Sequence, residues 1–233
     1  MNKLYQKLDQ QKKSIGVKKS FMEIMLGKSA RTETSKEEDH IGVNKRKTLM
    51  KVSLWLMLAL YVPPTTAQNI LYLRNDWGAE PPKQYNDVTH PVHMVVMKHT
   101  GGRYCDNFID CSKGVKELQE YSVTIGSPDI YCNFLIGGDG NIFEGRGWGV
   151  QPQDRNNTVD IVFIGNYNID EINFRMIDAA KVLMQTGVEK KYLEEDYIVV
   201  CHNQTVNTLS PGRNVFNEVQ KWDHYDRNLY FKN

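Results

Sequence analysis

Four cysteines and two Asn-x-Thr triplets are the first residues in this chain whose type and spacing suggest chemistry. Cys105 and Cys111 stand six positions apart, in a loop just ahead of a helix-like run. In an exported chain such a pair closes a disulfide that pins the loop to the helix start. Cys132 and Cys201 remain; they either pair with each other or sit as buried thiols, and a free thiol packs like a small hydrophobe. Asn156-Asn157-Thr158 and Asn203-Gln204-Thr205 are acceptors for N-linked glycans, a modification that has meaning only outside the cytoplasm. Four cysteines in 233 residues are too few to build a fold from disulfides, so a hydrophobic core must hold it.

Composition supports such a core. Forty per cent hydrophobic and 24% charged residues exclude a wholly disordered or fibrous chain. A net charge of +1 argues against a nucleic-acid binder, which carries a basic excess. The charge is unevenly placed: residues 1–67 hold 13 Lys/Arg against 6 Asp/Glu, and residues 68–233 hold 16 against 22. Residues 1–49 are polar and Lys-rich, with too little apolar surface to fold alone, and read as a disordered basic segment. Val52–Val62 is an apolar run of 11 residues, about half of what a membrane-spanning helix needs. Arg46, Lys47 and Lys51 precede it, and Pro63-Pro64 and Thr65-Thr66-Ala67 follow. Residues 50–67 therefore read as a secretory signal peptide if translation starts near Met50, leaving an extracellular chain. If translation starts at Met1, the run 52–62 is a short signal anchor of a type II membrane protein, and residues 68–233 still face outside.

From Gln68 onward strand-like and helix-like runs alternate. His93–Met97, Asn133–Ile136, Asp160–Ile164 and Tyr197–Val200 are short apolar runs, and Gly137-Gly-Asp-Gly140 turns the second of them into a hairpin with Ile142-Phe143. Ile172, Met176, Ala179, Ala180 and Leu183 recur at helical spacing, with Gly187 placed to cap that helix. Val115, Leu118 and Val123 mark a second helix; Val215, Phe216, Val219 and Trp222 mark a third. This pattern predicts an α/β fold: one domain over residues 68–233, with a central mixed β-sheet flanked by helices.

The motifs Leu73-Arg-Asn-Asp-Trp-Gly-Ala79, Cys105…Cys111, Asn133-Phe-Leu-Ile-Gly-Gly-Asp-Gly140, Glu144-Gly-Arg-Gly-Trp148, Phe163-Ile-Gly-Asn166, His202…Thr208-Leu-Ser-Pro-Gly212 and Trp222 occur in that order. Together, over residues 70–225, they resemble the peptidoglycan recognition proteins, relatives of zinc-dependent N-acetylmuramoyl-L-alanine amidases. The resemblance implies a ligand groove on one face of the sheet and a role in innate immunity. It also implies, for the enzymes, a zinc ion on two histidines and a cysteine, with a tyrosine that positions the reacting amide. Three protein ligands leave one open position, where a bound water becomes a nucleophile near neutral pH. Carried over residue by residue, the first histidine falls on Lys98, the second on His202, the cysteine on Ser210 and the tyrosine on Cys132. Strand parity turns His99 away if Lys98 faces the groove, and excludes Tyr131 likewise. A lysine ammonium repels a divalent metal, and one histidine does not hold it.

The expectation is therefore a non-catalytic member with no zinc and no other cofactor. Its groove, by resemblance, is lined by Lys98, Thr100, Arg146, Trp148, His202, Thr208 and Ser210. Core packing for Trp148 and a structural ion pair for Arg146 are the alternatives. The Lys98 ammonium should project into the groove, oppose protonation of His202 and attract a ligand carboxylate. Relatives carry a longer segment after Trp148 than Gly149–Arg155, and Val159 falls near a position where readers of diaminopimelic-acid peptidoglycan have arginine. The expected partner is bacterial peptidoglycan or a muropeptide. The alternative is a modulator that binds other recognition proteins or immune receptors.

Overall fold

The computed structural model describes residues 69–231. The basic segment 1–49 and the signal or anchor segment 50–67 lie outside the described residues. The alternating pattern becomes six strands: β1 (Leu71–Tyr72), β2 (Val92–His99), β3 (Phe134–Ile136), β4 (Ile142–Glu144), β5 (Thr158–Phe163) and β6 (Leu193–Cys201). Three α-helices accompany them: α1 (Phe108–Thr124), α2 (Phe174–Glu189) and α3 (Arg213–Val219). The strands form one mixed sheet in the order β1-β4-β3-β5-β2-β6. Its long members β5, β2 and β6 are parallel, and only β3 and β4 form an antiparallel hairpin, around the turn read from the glycines. The expected α/β architecture is present.

The two long helices start where a side chain takes up free N–H groups. The Asn107 carboxamide oxygen accepts from the Asp110 N–H at the head of α1, and Asn173 accepts from Arg175 and Met176 at the head of α2. Cys111, in the first turn of α1, is disulfide-bonded to Cys105 in the preceding loop.

Parallel strands buried on both faces are apolar almost throughout, and this sheet has two cores. On one face α2 and α3 place Met176, Ala179, Ala180, Leu183 and Val215 against Val95, Met97, Val159, Ile161 and Val199. On the other, α1 lays Cys111 and Val115 against Leu135, Phe143, Val162 and Ile164. The α1 face also carries the polar exceptions, Lys98 and Asp160, both buried.

Gly187 does not cap α2, which runs on to Glu189. A Cβ at Gly187 would stand 2.6 Å from the Trp148 ring and 2.9 Å from the Leu193 side chain, so the glycine serves a close approach. The left-handed residue after the helix is Lys191, whose N–H donates to the Val188 carbonyl while the Tyr192 N–H reaches Gly187. Trp222 lies past the end of α3 but is buried in the same core.

Asn133 joins the hairpin to β5. Its amide donates to the carbonyls of Gly147 at 2.7 Å and Val150 at 2.8 Å, and its oxygen accepts from the Asp160 N–H at 2.9 Å. Removing this fully buried side chain strands three polar groups, each costing about 1–3 kcal/mol when left unpaired. Asn133→Ala should therefore lower the stability of the full chain by about 3 kcal/mol in urea unfolding. A loss under about 1 kcal/mol would mean that water or the backbone replaces these bonds.

Candidate functional site

Beyond the last turn of α1 the sheet face is uncovered, and a cleft of about 430 Å³ opens there. Its floor comes from the end of β2 (Lys98, His99, Thr100), from His202 after β6, and from the loop carrying Thr208, Leu209 and Ser210. Tyr121, Ser122 and Ile125 of the α1 end form one wall; Tyr131, Gln153 and Asp154 form another.

Lys98 is only 3% exposed. In the parallel register it stands beside Val162, which puts Asp160 one diagonal away on the same face of β5. The ammonium lies 2.6 Å from the Asp160 carboxylate and 2.9 Å from that of Asp154, which comes down from the loop after Trp148. The Tyr131 ring sits 5.9 Å from the same nitrogen. Burial alone would lower the Lys98 pKa, but Asp160 and then Asp154 more than offset it and hold it above the usual lysine value. Burial would raise the Asp154 carboxyl, yet Lys98 draws it below the usual carboxylate range. The expectation of an unencumbered ammonium is thus corrected: two carboxylates share it, and the carboxylate of Asp154, half exposed, is the charge a ligand meets first.

His202 sits in a 3₁₀ turn, His202–Gln204, held by the Thr205 N–H and hydroxyl on its carbonyl. Burial, followed by the Lys98 charge, depresses its pKa to about 4, so the imidazole is neutral at pH 7. His99, at the strand end, also borders the cleft, although parity pointed it away; the chain turns sharply at Gly101, where φ is +69°. Its Nδ1 accepts the Tyr167 N–H at 3.1 Å, and burial lowers its pKa too. The Ser210 hydroxyl accepts the His99 backbone N–H at 3.1 Å, and the Thr208 hydroxyl accepts the Ser210 N–H. Thr100 Oγ1 accepts from the Gly165 N–H at 3.0 Å.

Lys98, Thr100, His202, Thr208 and Ser210 therefore come together, whereas Arg146 and Trp148 stand elsewhere. Arg146 is a strut: its guanidinium donates to the carbonyls of Ile130 and Gln151 and to the Ser127 hydroxyl. Trp148 packs on the α2 side of the sheet, its ring stacked on Tyr192 at 5.2 Å and tilted against Phe134 at 4.8 Å. Val159 is buried in the α2 core, opposite Asp160 in the strand alternation, and does not face the cleft. Tyr131 lines the cleft and Cys132 turns into the α1 core, the reverse of the parity reading. The reason is local: β3 begins only at Phe134, and residues 131–133 are irregular. Cys132 and Cys201 are both free and buried; burial raises both thiols, that of Cys201 to about 12. Asn156 is exposed, while the Asn203 side-chain oxygen is buried.

Sequence reasoning missed Asp154, Asp160, Tyr121, Tyr131 and Gln153. Asp160 did leave a signal: an acid inside an apolar strand requires a buried partner, and Lys98 is the basic residue inside another such strand.

A six-stranded mixed sheet with helices on both faces and a cleft at the strand ends defines an amidase-like recognition fold. A family profile for N-acetylmuramoyl-L-alanine amidase matches residues 88–213. Peptidoglycan-recognition protein SC1a of Drosophila melanogaster is 35% identical over 181 residues, which cover 75% of this chain and 97% of that one. The solved structure of Drosophila peptidoglycan recognition protein SA superposes with a TM-score of 0.69 at 31% identity, covering 71% of this chain and 99% of that chain. A second, the ectodomain complex of recognition proteins LCa and LCx bound to tracheal cytotoxin, matches with a TM-score of 0.66 at 31% identity, over 67% of this chain and 98% of that one. This chain belongs to the peptidoglycan recognition protein family and carries its amidase-type domain.

Lys98→Met should destabilise the full chain by about 3–5 kcal/mol at pH 7, because it leaves Asp160 buried without its cation. With the ammonium gone, burial keeps the Asp160 pKa above its unfolded value. Protonation then favours the folded state, and the deficit should be smaller at pH 5 than at pH 8. Lys98→Met/Asp160→Leu, which removes both charges, should recover most of the loss in denaturant melts; a double variant as unstable as the single one contradicts the pairing.

Proton NMR should place the His202 midpoint near pH 4 in the parent. In Lys98→Met/Asp160→Leu that midpoint should move up, since a like charge has been removed. A parent midpoint near 6.5, the ordinary histidine value, would show that neither burial nor Lys98 acts on this ring.

Proposed function

We propose that this protein recognises peptidoglycan fragments in the cleft without hydrolysing them. The observation that carries the proposal is the Lys98 ammonium held by Asp160 and Asp154, where the family resemblance calls for a zinc-binding histidine. The other donors do not fit zinc either. Neutral His99 uses the Nδ1 lone pair for the Tyr167 N–H, which leaves the proton on Nε2 and no lone pair there for a metal. Ser210 offers a hydroxyl already accepting a backbone N–H, and Cys132 is buried in the core rather than aimed at the cleft. His202 is left as a single ligand, and a catalytic zinc takes three.

What remains suits binding. Threonine hydroxyls at 100 and 208, the Gln153 carboxamide and the exposed Tyr121, Ile125 and Leu209 side chains give mixed polar and apolar contacts, as a ligand of sugars and peptide requires. The matched LCa–LCx complex holds tracheal cytotoxin, which supports a muropeptide as the ligand class here. Export belongs to the same reading, since the Cys105–Cys111 disulfide suits an oxidising compartment. A second reading, a modulator acting on other recognition proteins, draws on the short segment after Trp148. That segment folds back on the body of the protein through the Gln151 N–H on Asn86 and the Gln153 N–H on Tyr131.

Sedimentation of the full chain with insoluble peptidoglycan, alongside an assay for amide cleavage, tests the proposal. The expected result is retention in the pellet with no stem peptide released, and zinc uptake unchanged by His202→Ala. Turnover that depends on zinc and on His202 would establish an amidase instead. Absence from the pellet would leave the modulator reading.

A further inference from the structure

Away from the cleft, β2 and β6 part company over a short stretch. Val92 pairs with Leu193, but Met94 pairs with Ile198, so His93 alone on β2 faces the four residues Glu194–Tyr197 on β6. The surplus residues form a bulge that gathers Glu194 and Asp196 around the His93 ring. The Nδ1 of His93 lies 2.7 Å from the Glu194 carboxylate. One ring nitrogen of His93 and one carboxylate oxygen each from Glu194 and Asp196 all lie within 4.8 Å of one another. Asp196 also borders a recess of about 680 Å³, lined by Glu195, Asp223 and Asp226 against Arg227. Four carboxylates, Asp196 included, line it with one guanidinium, and with Lys191 reaching Glu195 at 3.6 Å the surface is still net acidic and concentrates cations.

We propose that His93, Glu194 and Asp196 form a binding site for a divalent transition-metal cation, of which zinc is the best match. Imidazole together with two carboxylates selects a late first-row ion over magnesium or calcium, which prefer oxygen alone. Neutral His93 supplies the Nδ1 lone pair by carrying its proton on Nε2, and the ion takes the place of the present hydrogen bond to Glu194. Zinc–ligand distances of about 2.0–2.2 Å bring ligand atoms to about 3.5 Å from one another. Glu194 is partly exposed and Asp196 exposed, which leaves both carboxylates room to rotate toward that spacing. The bound ion would clamp the β6 bulge onto β2 and keep a coordination position open toward the acidic recess. This site does not depend on the reading of the cleft.

Calorimetric titration of zinc chloride into the full chain, with parallel His93→Ala, Asp196→Asn and His202→Ala variants, tests it. One saturable site per chain with a micromolar dissociation constant is expected. His93→Ala and Asp196→Asn should weaken it at least about tenfold, and His202→Ala should leave it unchanged. All three side chains of the site are partly or fully exposed, so metal-free melts of these variants should match the parent. No saturable uptake below about 1 mM free zinc overturns the proposal, as does uptake indifferent to His93→Ala. Uptake lost in His202→Ala alone would instead place the metal in the cleft.

Discussion

The Lys98–Asp160 ion pair is the constraint on which the cleft depends. Both residues sit in parallel strands whose other buried positions, Thr158 apart, are apolar, and neither charge survives burial without the other. Because side chains alternate, a slip of one residue in either strand would drive a charge into the α2 core, among Val95, Met97, Val159 and Ile161. The pair therefore excludes the neighbouring registers of β2 against β5. A buried ion pair adds little to stability over an apolar pair of the same volume, so its consequence is where things are placed. It puts a cation under the cleft, adds to the burial that depresses the His202 pKa and draws Asp154, with its loop, over the floor.

That loop is held from behind by groups that do not line the cleft. Asn133 carries the carbonyls of Gly147 and Val150, and Arg146 carries those of Ile130 and Gln151. The short segment Gly149–Arg155 thus lies against the hairpin, and Asp154 reaches Lys98 from a scaffold braced at both ends. Arg146 and Trp148, whose motif placed them in the groove, stand behind it, Arg146 bracing the loop and Trp148 packing on the α2 side.

Most of the fold was legible because it follows from periodicity. The apolar runs became β2, β3, β5 and β6; the glycine turn became the hairpin; the helical spacings became α1, α2 and α3. Both parity arguments failed, because each was applied at the end of a strand. Tyr131 and Cys132 precede β3, and His99 closes β2, so alternation says nothing firm about where they point. Gly187 looked like a cap because sequence does not show that Trp148 and Leu193 press on that turn. The bulge at 194–197 was equally invisible, since register is a property of two strands and the sequence shows one at a time. The ligand-like cluster at His93 depends on that register.

On the proposed reading, the cleft differs from a zinc site in more than the loss of two of the three ligands. A metal ion polarises a bound oxygen and yields a nucleophile at neutral pH; an ammonium saturated by two carboxylates does neither. Lys98 with Asp160 and Asp154 is a cluster of fixed protein charges, where the resemblance implies a metal ion with an open coordination position. Hydroxyl, carboxamide and apolar contacts around it stabilise a bound fragment, but they interact alike with a ground state and a tetrahedral intermediate. Uniform binding of that kind gives affinity without rate acceleration. On that reading, the exchange that fixes strand register also separates recognition from hydrolysis.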